Sequence, residues 1–370
     1  MRVAIHAGQL LQPIPGGIGR YLLQLLSHLQ SEGIDPVAFA AGPRPADLPA
    51  TTEWVDLGAP RGGLRYEMWH RLRRPRLRIP GALDVVHAPS LAVPPSGGRA
   101  LVVTVHDVAF LRLPERTTRR GRSFHRRGLE IARRDAHVII APTAFTRSEL
   151  VAEGFDPAAI VTIHHGVDPP GREDGRAVDE RLGSLGIERP FLLAVGTVEP
   201  RKGLSVLCEA FAAVRARHPS LTLAVAGPPG WGRVAGLDTP GIRALGFVDP
   251  GVLDALYRRA AATVMPSAYE GFGLPALEAM ARGCPVVATA GSAMGEVVDG
   301  AGVLLPPDDP AALRSALETL LDDPDHAAAL GRRGIDRAAA FTWDRSANAH
   351  ADAYELAVRR HGQGARAGHS

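Results

Sequence analysis

One pattern constrains this chain more than any other. A short run of β-branched and apolar residues, a turn and a helical stretch recur along almost its whole length. In the first half the apolar runs are residues 2–7, 36–40, 85–88, 101–105, 137–141 and 160–163, with helical stretches near 19–31, 117–134 and 144–153. Buried parallel strands read as continuous apolar runs, and strand alternating with helix predicts a doubly wound α/β sheet. Residues 170–189 are charged and Gly-rich without a strand pattern, and read as a linker. A second series follows, with strands at 191–195, 221–226, 242–247, 263–265, 285–289 and 303–305. Its helices are expected near 203–217, 250–261 and 274–282, and three more near 310–321, 326–340 and 343–360 finish the chain. Asp308-Asp309-Pro310 and Thr342 are capping signals for two of these, and the tail from 361 is expected to fray.

The expected architecture is therefore α/β, with two Rossmann-like doubly wound domains, 1–172 and 186–344. A length of 370 residues agrees, at about 150 residues per domain. In open parallel sheets ligands sit beyond the carboxyl ends of the strands, so the expected site is a cleft across which the two domains face each other.

Composition narrows the class. The 45% apolar content excludes a disordered chain, and two cysteines, Cys208 and Cys284, exclude a disulfide scaffold or four-thiolate zinc site. The start MRVAIHAG lacks the features of a secretory signal, and no apolar run approaches the roughly 18 residues of a spanning helix. A cytoplasmic protein is expected. Of 42 basic residues only Lys202 is a lysine. A GC-rich coding bias accounts for the arginines, not for the one ammonium retained.

Four segments carry chemistry. In Pro15-Gly16-Gly17-Ile18-Gly19-Arg20-Tyr21, after the first strand, the glycines let backbone N–H groups approach an anion at a helix start. The G-x-G-x-x-G dinucleotide fingerprint is not met. Val103-Thr104-Val105-His106-Asp107 places a histidine at a strand's carboxyl end, able to donate to a substrate hydroxyl or phosphate with Asp107 orienting it. In Gly196-Thr197-Val198-Glu199-Pro200-Arg201-Lys202-Gly203, two cations converge at a loop-to-helix entry. Such a pair suits a diphosphate, and stabilises its charge as it leaves. A solvated helix cap is the plainer alternative. In Pro266-Ser267-Ala268-Tyr269-Glu270-Gly271-Phe272-Gly273-Leu274-Pro275-Ala276-Leu277-Glu278, two glutamates eight apart flank a glycine-rich helix start. Carboxylates beside such a cradle suit sugar hydroxyls.

Together these segments resemble a retaining glycosyltransferase of family 4 with the GT-B fold, in its mannosyltransferase-like Glu-Pro-Arg-Lys subgroup. Gly-Gly-Ile-Gly-Arg-Tyr, the His-Asp pair, the Arg-Lys loop and Glu-x7-Glu occur in the family's order over essentially the whole chain. The resemblance implies that Arg201 and Lys202 hold the donor diphosphate and Glu278 the ribose. Glu270, with Gly271 and the amides of Phe272, Gly273 and Leu274, would hold the donor sugar and phosphates. His106 would contact the sugar near its 6-hydroxyl, and Gly16 and Gly17 would approach the phosphates. Gly246-Phe247-Val248 would bracket the base. Thr197 stands where many members carry an arginine, so Arg201 would supply the guanidinium. The final helix, about 345–362, would cross back onto the first domain.

The implied reaction moves a hexosyl unit, mannose from GDP-mannose favoured, from a nucleotide sugar to a hydroxyl of a glycan, lipid-linked or small-molecule acceptor in polysaccharide or glycoconjugate biosynthesis. No metal or other cofactor is implied, and Asp323-Pro324-Asp325, the one D-x-D, reads as a capped turn. A nucleotide-sugar epimerase of the same fold and a non-catalytic sugar-nucleotide binder are the rival readings.

Residues 61–78 hold seven arginines and 116–134 eight. No recognition motif accompanies them, which argues against nucleic acid. Peripheral contact with anionic lipid at the inner membrane face is the expectation, beside the plainer reading of a solvated basic face.

Overall fold

The computed structural model describes residues 1–171 and 175–367. It divides into two compact units, Met1–Gly166 with Thr342–Ser370, and Val167–Phe341.

In the first unit the strands are β1 (Arg2–His6), β2 (Asp35–Ala40), β3 (Glu53–Asp56), β4 (Val85–Ala88), β5 (Ala100–Thr104), β6 (Val138–Ala141) and β7 (Ile160–Thr162). All pairings are parallel, in the order β3-β2-β1-β4-β5-β6-β7. Runs such as Val-Val-His-Ala and Val-Ile-Ile-Ala are buried along their whole length, because helices cover both faces of the sheet. Those helices are α1 (Gly16–His28), α2 (Gly62–Leu72), α3 (Ala109–Arg112), α4 (Arg119–Asp135) and α5 (Ala144–Ala152).

The second unit opens with α6 (Gly175–Ser184). Its strands are β8 (Phe191–Val195), β9 (Thr222–Ala226), β10 (Ile242–Gly246), β11 (Ala262–Met265), β12 (Val286–Thr289) and β13 (Val303–Leu305). The order is β10-β9-β8-β11-β12-β13, again parallel throughout. Around them lie α7 (Leu204–Arg217), α8 (Pro250–Arg259), α9 (Leu274–Ala281), α10 (Met294–Val298), α11 (Pro310–Asp322) and α12 (Pro324–Ala338). Asp309 and Asp323 cap the last two, accepting from Ala312 N and His326 N at 2.9 Å each. The D-x-D is thus a helix cap.

The chain then returns to the first unit as α13 (Trp343–Ala367). Ala347, Ala353, Tyr354 and Ala357 share a core cluster with Leu22, Leu25 and Leu26 of α1. A buried polar chain crosses that contact. Tyr21 Oη lies 2.7 Å from His350 Nε2 and 3.2 Å from Thr104 Oγ1, and His87 joins Thr104 (2.8 Å) to Tyr354 (2.9 Å). His350 Nδ1 donates to Ser346 O at 2.7 Å, so its Nε2 is left to accept from Tyr21. Burial holds His350 neutral, its pKa lowered to about 4.

Two expectations are corrected. The stretch 170–189 is more than a linker. Residues 172–174 lie outside the described residues, but α6 follows them, and Val178, Leu182 and Ile187 are buried in the second unit's core. The arginine-rich stretch 61–78 is partly interior. Arg65 is buried and donates to the carbonyls of Pro60 (2.8 Å), Leu57 (3.1 Å) and Gly58 (3.0 Å). Arg73 donates to Val93 O and Pro94 O at 2.9 Å each, and Trp69 is wholly buried. Among the described residues no helix is long and apolar enough to cross a membrane.

Candidate active site

In the second unit three loops leave the carboxyl ends of neighbouring strands and pack on one another. Their close approach demands glycine. A Cβ on Gly203 (φ +65°) would lie 1.9 Å from Pro266 O, and one on Gly227 (φ +153°) 2.0 Å from Gly196 O. The loop after β9 is tied to the loop after β8 by Val198 N to Pro228 O (2.9 Å) and Gly230 N to Val198 O (3.1 Å). Thr197 packs its methyl beside Gly230 in that contact. The loop after β11 is tied to it by Ala268 N to Arg201 O (3.0 Å). A small hollow at these strand ends is lined by Gly196, Lys202, Pro266 and Ser267.

Arg201 and Lys202 stand in a single helical turn, Pro200–Lys202, ahead of α7. Lys202 Nζ donates to Glu270 Oε1 at 2.6 Å. Arg201 donates through Nη1 to Tyr269 O (3.0 Å) and through Nη2 to Glu199 Oε1 (2.8 Å), with Nη1 3.7 Å from Glu270 Oε2. Glu270 is buried. Burial pushes its carboxyl up, but the Lys202 ammonium and the Arg201 guanidinium together outweigh it and hold the pKa below the usual carboxylate value. The two cations therefore share one carboxylate and keep it ionised.

Gly271 and buried Phe272 lead to Gly273 (φ +95°), which caps α9. Glycine is required there by conformation; the Met294 Cε that a Cβ would meet at 1.8 Å is the end of a flexible side chain. Leu274 and Pro275 open the helix. One turn in, Glu278 is buried and accepts from Tyr257 Oη at 2.9 Å. Val248 is half-buried against the core beside Gly246 (φ +67°), with Phe247 between them 66% exposed.

Gly16, Gly17 and His106 belong to the first unit. Gly16 (φ +63°) starts α1, and both glycines are exposed. His106 follows β5 and is half-buried, with its Nε2 2.9 Å from Pro89 O. A carbonyl only accepts, so Nε2 carries the proton. Burial lowers the pKa, the Pro89 contact opposing it, and the neutral ring offers a lone pair at Nδ1. The expected donor is thus an acceptor. Asp107 accepts from Ala109 N at 3.0 Å and acts on the ring through its charge, which opposes the effect of burial. Pro89, Tyr257 and the Gly227–Gly230 loop were not singled out by sequence. Only the last had a signal, its Gly-Pro-Pro-Gly run. Among the described residues no cluster of three or more His, Cys, Asp or Glu could hold a metal.

Comparison with known proteins follows the same division. The family described as Glycosyltransferase Family 4 matches residues 15–170, and that described as Glycosyl transferases group 1 matches residues 189–323. O-antigen chain mannosyltransferase B of Escherichia coli is 30% identical, over 92% of this chain and 96% of its own. A D-inositol 3-phosphate glycosyltransferase of Salinispora tropica is 30% identical over 97% and 85%. Among solved structures, sucrose-phosphate synthase from Thermosynechococcus elongatus superposes with a TM-score of 0.74 at 21% identity, over 96% of this chain and 98% of that one. HepE of Anabaena, solved with UDP-glucose, superposes with a TM-score of 0.74 at 19% identity, over 95% and 98%. These two establish likeness of fold. Identity sustained over nearly the full length, with a family match in each unit, makes this chain a member of glycosyltransferase family 4.

Proposed function

We propose that the protein transfers a hexosyl unit, with retention of anomeric configuration, from a nucleoside-diphosphate sugar to an acceptor hydroxyl. The observation that carries this is the pairing of Arg201 and Lys202 around buried Glu270. Adjacent cations on a rigid turn suit a diphosphate whose charge grows as it leaves, and a neighbouring carboxylate suits the hydroxyls of the sugar it leaves behind. Mannose from GDP-mannose is the favoured donor, supported by the mannosyltransferase among the relatives. UDP-glucose, bound by the structural neighbour, is the second choice. The acceptor is a glycan, a lipid-linked saccharide or a small molecule such as a polyol phosphate.

In the proposed roles, Arg201 and Lys202 grip the diphosphate and Glu278 takes the ribose. Glu270 and the Gly271–Leu274 backbone hold the sugar, while Gly16, Gly17 and His106 approach the donor from the first unit, with His106 accepting from a sugar hydroxyl at Nδ1. Val248 and Thr197 border the nucleotide. The acceptor oxygen bonds to the anomeric carbon as that carbon's bond to the phosphate oxygen breaks on the same face. The acceptor proton passes to the departing diphosphate, so no protein base is needed. The cations neutralise the leaving group, and transfer proceeds without a divalent ion. The exposed arginines of 61–78 and 116–134 rest on anionic lipid at the cytoplasmic face.

The test is a nucleotide-sugar panel with candidate acceptors, read as free nucleoside diphosphate and as the anomer of the product by NMR. Acceptor-dependent release with retained configuration is expected. Sugar isomerised without acceptor would instead establish an epimerase, and no turnover of any donor would leave only a binder.

A further inference from the structure

Tyr257 lies near the end of α8, outside every motif discussed above, and is 1% exposed. A buried tyrosine has to place its hydroxyl against an acceptor, and this one donates to Glu278 Oε2 at 2.9 Å. The contact joins two helices across 21 residues of sequence. Tyr257 is itself clamped. Arg282, one turn beyond Glu278, lays its guanidinium 5.8 Å from the centre of the Tyr257 ring. The same guanidinium donates to Glu278 O (3.2 Å) and to Asp254 Oδ1 (2.7 Å), and Arg258 also donates to Asp254. Asp254, one turn before Tyr257, in turn accepts from Gly171 N at 3.2 Å. Ring, carboxylate and both helix ends are thus held by one network of charged and aromatic contacts.

We infer that Tyr257 is a positioning residue for nucleotide recognition, its hydroxyl fixing the Glu278 carboxylate so that it can accept from the vicinal hydroxyls of the ribose. This rests on the reading of Glu278 as the ribose ligand. A diol presents two donors at fixed spacing, and a carboxylate can meet both only in one orientation. A glutamate left to rotate would lose side-chain freedom on binding; one already tied at Oε2 loses less. A tyrosine that merely filled the core would give the same buried ring, but its effect on binding would not depend on the ribose hydroxyls.

That difference is the test. The full-length chain, Tyr257→Phe, Glu278→Gln and the double variant are titrated calorimetrically with GDP and UDP, and with the 2′,3′-dideoxy forms of each. Circular dichroism and thermal melts confirm that each variant is folded. Tyr257→Phe keeps the ring in the core and removes one oxygen. It is expected to weaken the ribonucleotide about five- to tenfold, leave the dideoxy form unchanged, and add little to Glu278→Gln. Should Tyr257→Phe weaken both forms equally, or neither, while Glu278→Gln abolishes the preference for ribose, the positioning role is wrong and the site reading survives. If Glu278→Gln itself keeps the full preference, the ribose assignment falls and the inference falls with it.

Discussion

Lys202 Nζ sits 2.6 Å from Glu270 Oε1, an ion pair between loops that are 68 residues apart in sequence and follow different strands. With Arg201 Nη1 3.7 Å from the same carboxylate, the two cations already face an internal anion. A diphosphate entering here competes with Glu270 for them. Glu270→Gln removes the competitor for Lys202, leaves Glu199 on Arg201, and keeps the shape. Nucleoside diphosphate affinity is expected to rise several-fold, about three- to tenfold, while transfer falls about a hundredfold. Calorimetry and a coupled diphosphate-release assay read the two separately; weaker diphosphate binding in the variant contradicts the competition.

Lys202→Ala acts on the other half of the pair. Arg201 and the buried surroundings of Glu270 remain, so the chain is expected to stay folded by circular dichroism. Loss of one of two cations at a developing negative charge costs about 10² to 10³ in kcat. Wild-type turnover in the purified variant removes Lys202 from the site.

Acid should loosen the first unit before neutral salt does. Burial, with Arg65 adding to it, lowers the pKa of His6 to about 3, and burial lowers that of His350 to about 4, against an ordinary 6.5. Each is a base whose folded pKa lies below its unfolded one. Its contribution is complete above pH 6.5 and is lost as pH falls from 6.5 towards 3–4, because the unfolded chain takes up the proton first. The loss approaches about 1.4 kcal/mol per pH unit for each histidine. Thermal midpoints measured from pH 7.5 to 4.5 should fall progressively, and His6→Leu should flatten the slope. An unchanged slope in that variant refutes the assignment of His6.

The basic face makes a prediction about lipid. Arg65 and Arg73 are spent on carbonyls, but Arg61, Arg74, Arg76, Arg119, Arg120 and Arg126 are exposed, and Leu64 and Leu72 are each 63% exposed on α2. Vesicles containing anionic lipid should sediment the protein at low salt, lose it as salt is raised, and hold Leu64→Glu/Leu72→Glu more weakly. Failure of anionic vesicles to sediment the wild type disposes of the contact.

Charge neutralisation by Arg201 and Lys202 also predicts that chelation leaves transfer unaffected. Rates measured with EDTA and with added Mg²⁺ should agree within error; a metal requirement overturns the assignment of the leaving-group charge to the cation pair.

Much of this was legible in the chain because period and spacing are local signals. Val85–Ala88 and Val138–Ala141 announce themselves as continuous apolar runs. The lone Lys202 and the Glu270–Glu278 spacing single out the candidate site from sequence. The strand Glu53–Asp56 escaped notice, since four residues with exposed ends at the sheet's edge carry no apolar run. The helix Gly62–Leu72 escaped because Arg65, charged in sequence, is buried against three carbonyls. The partners of the site residues were invisible for another reason. Pro89 reaches His106 from the end of an adjacent strand, and Tyr257 reaches Glu278 from another helix, so neither relation has a spacing to read.

The return of α13 has a consequence for how the molecule is held together. Val167–Phe341 is one uninterrupted stretch, whereas the other unit needs both extremities of the polypeptide. Tyr21 draws its shorter hydroxyl contact from His350, 329 residues later, and its longer one from Thr104 in the sheet. Cutting the chain before Trp343 would leave every residue of the second unit in place while stripping the α1 core of the first of its α13 cover.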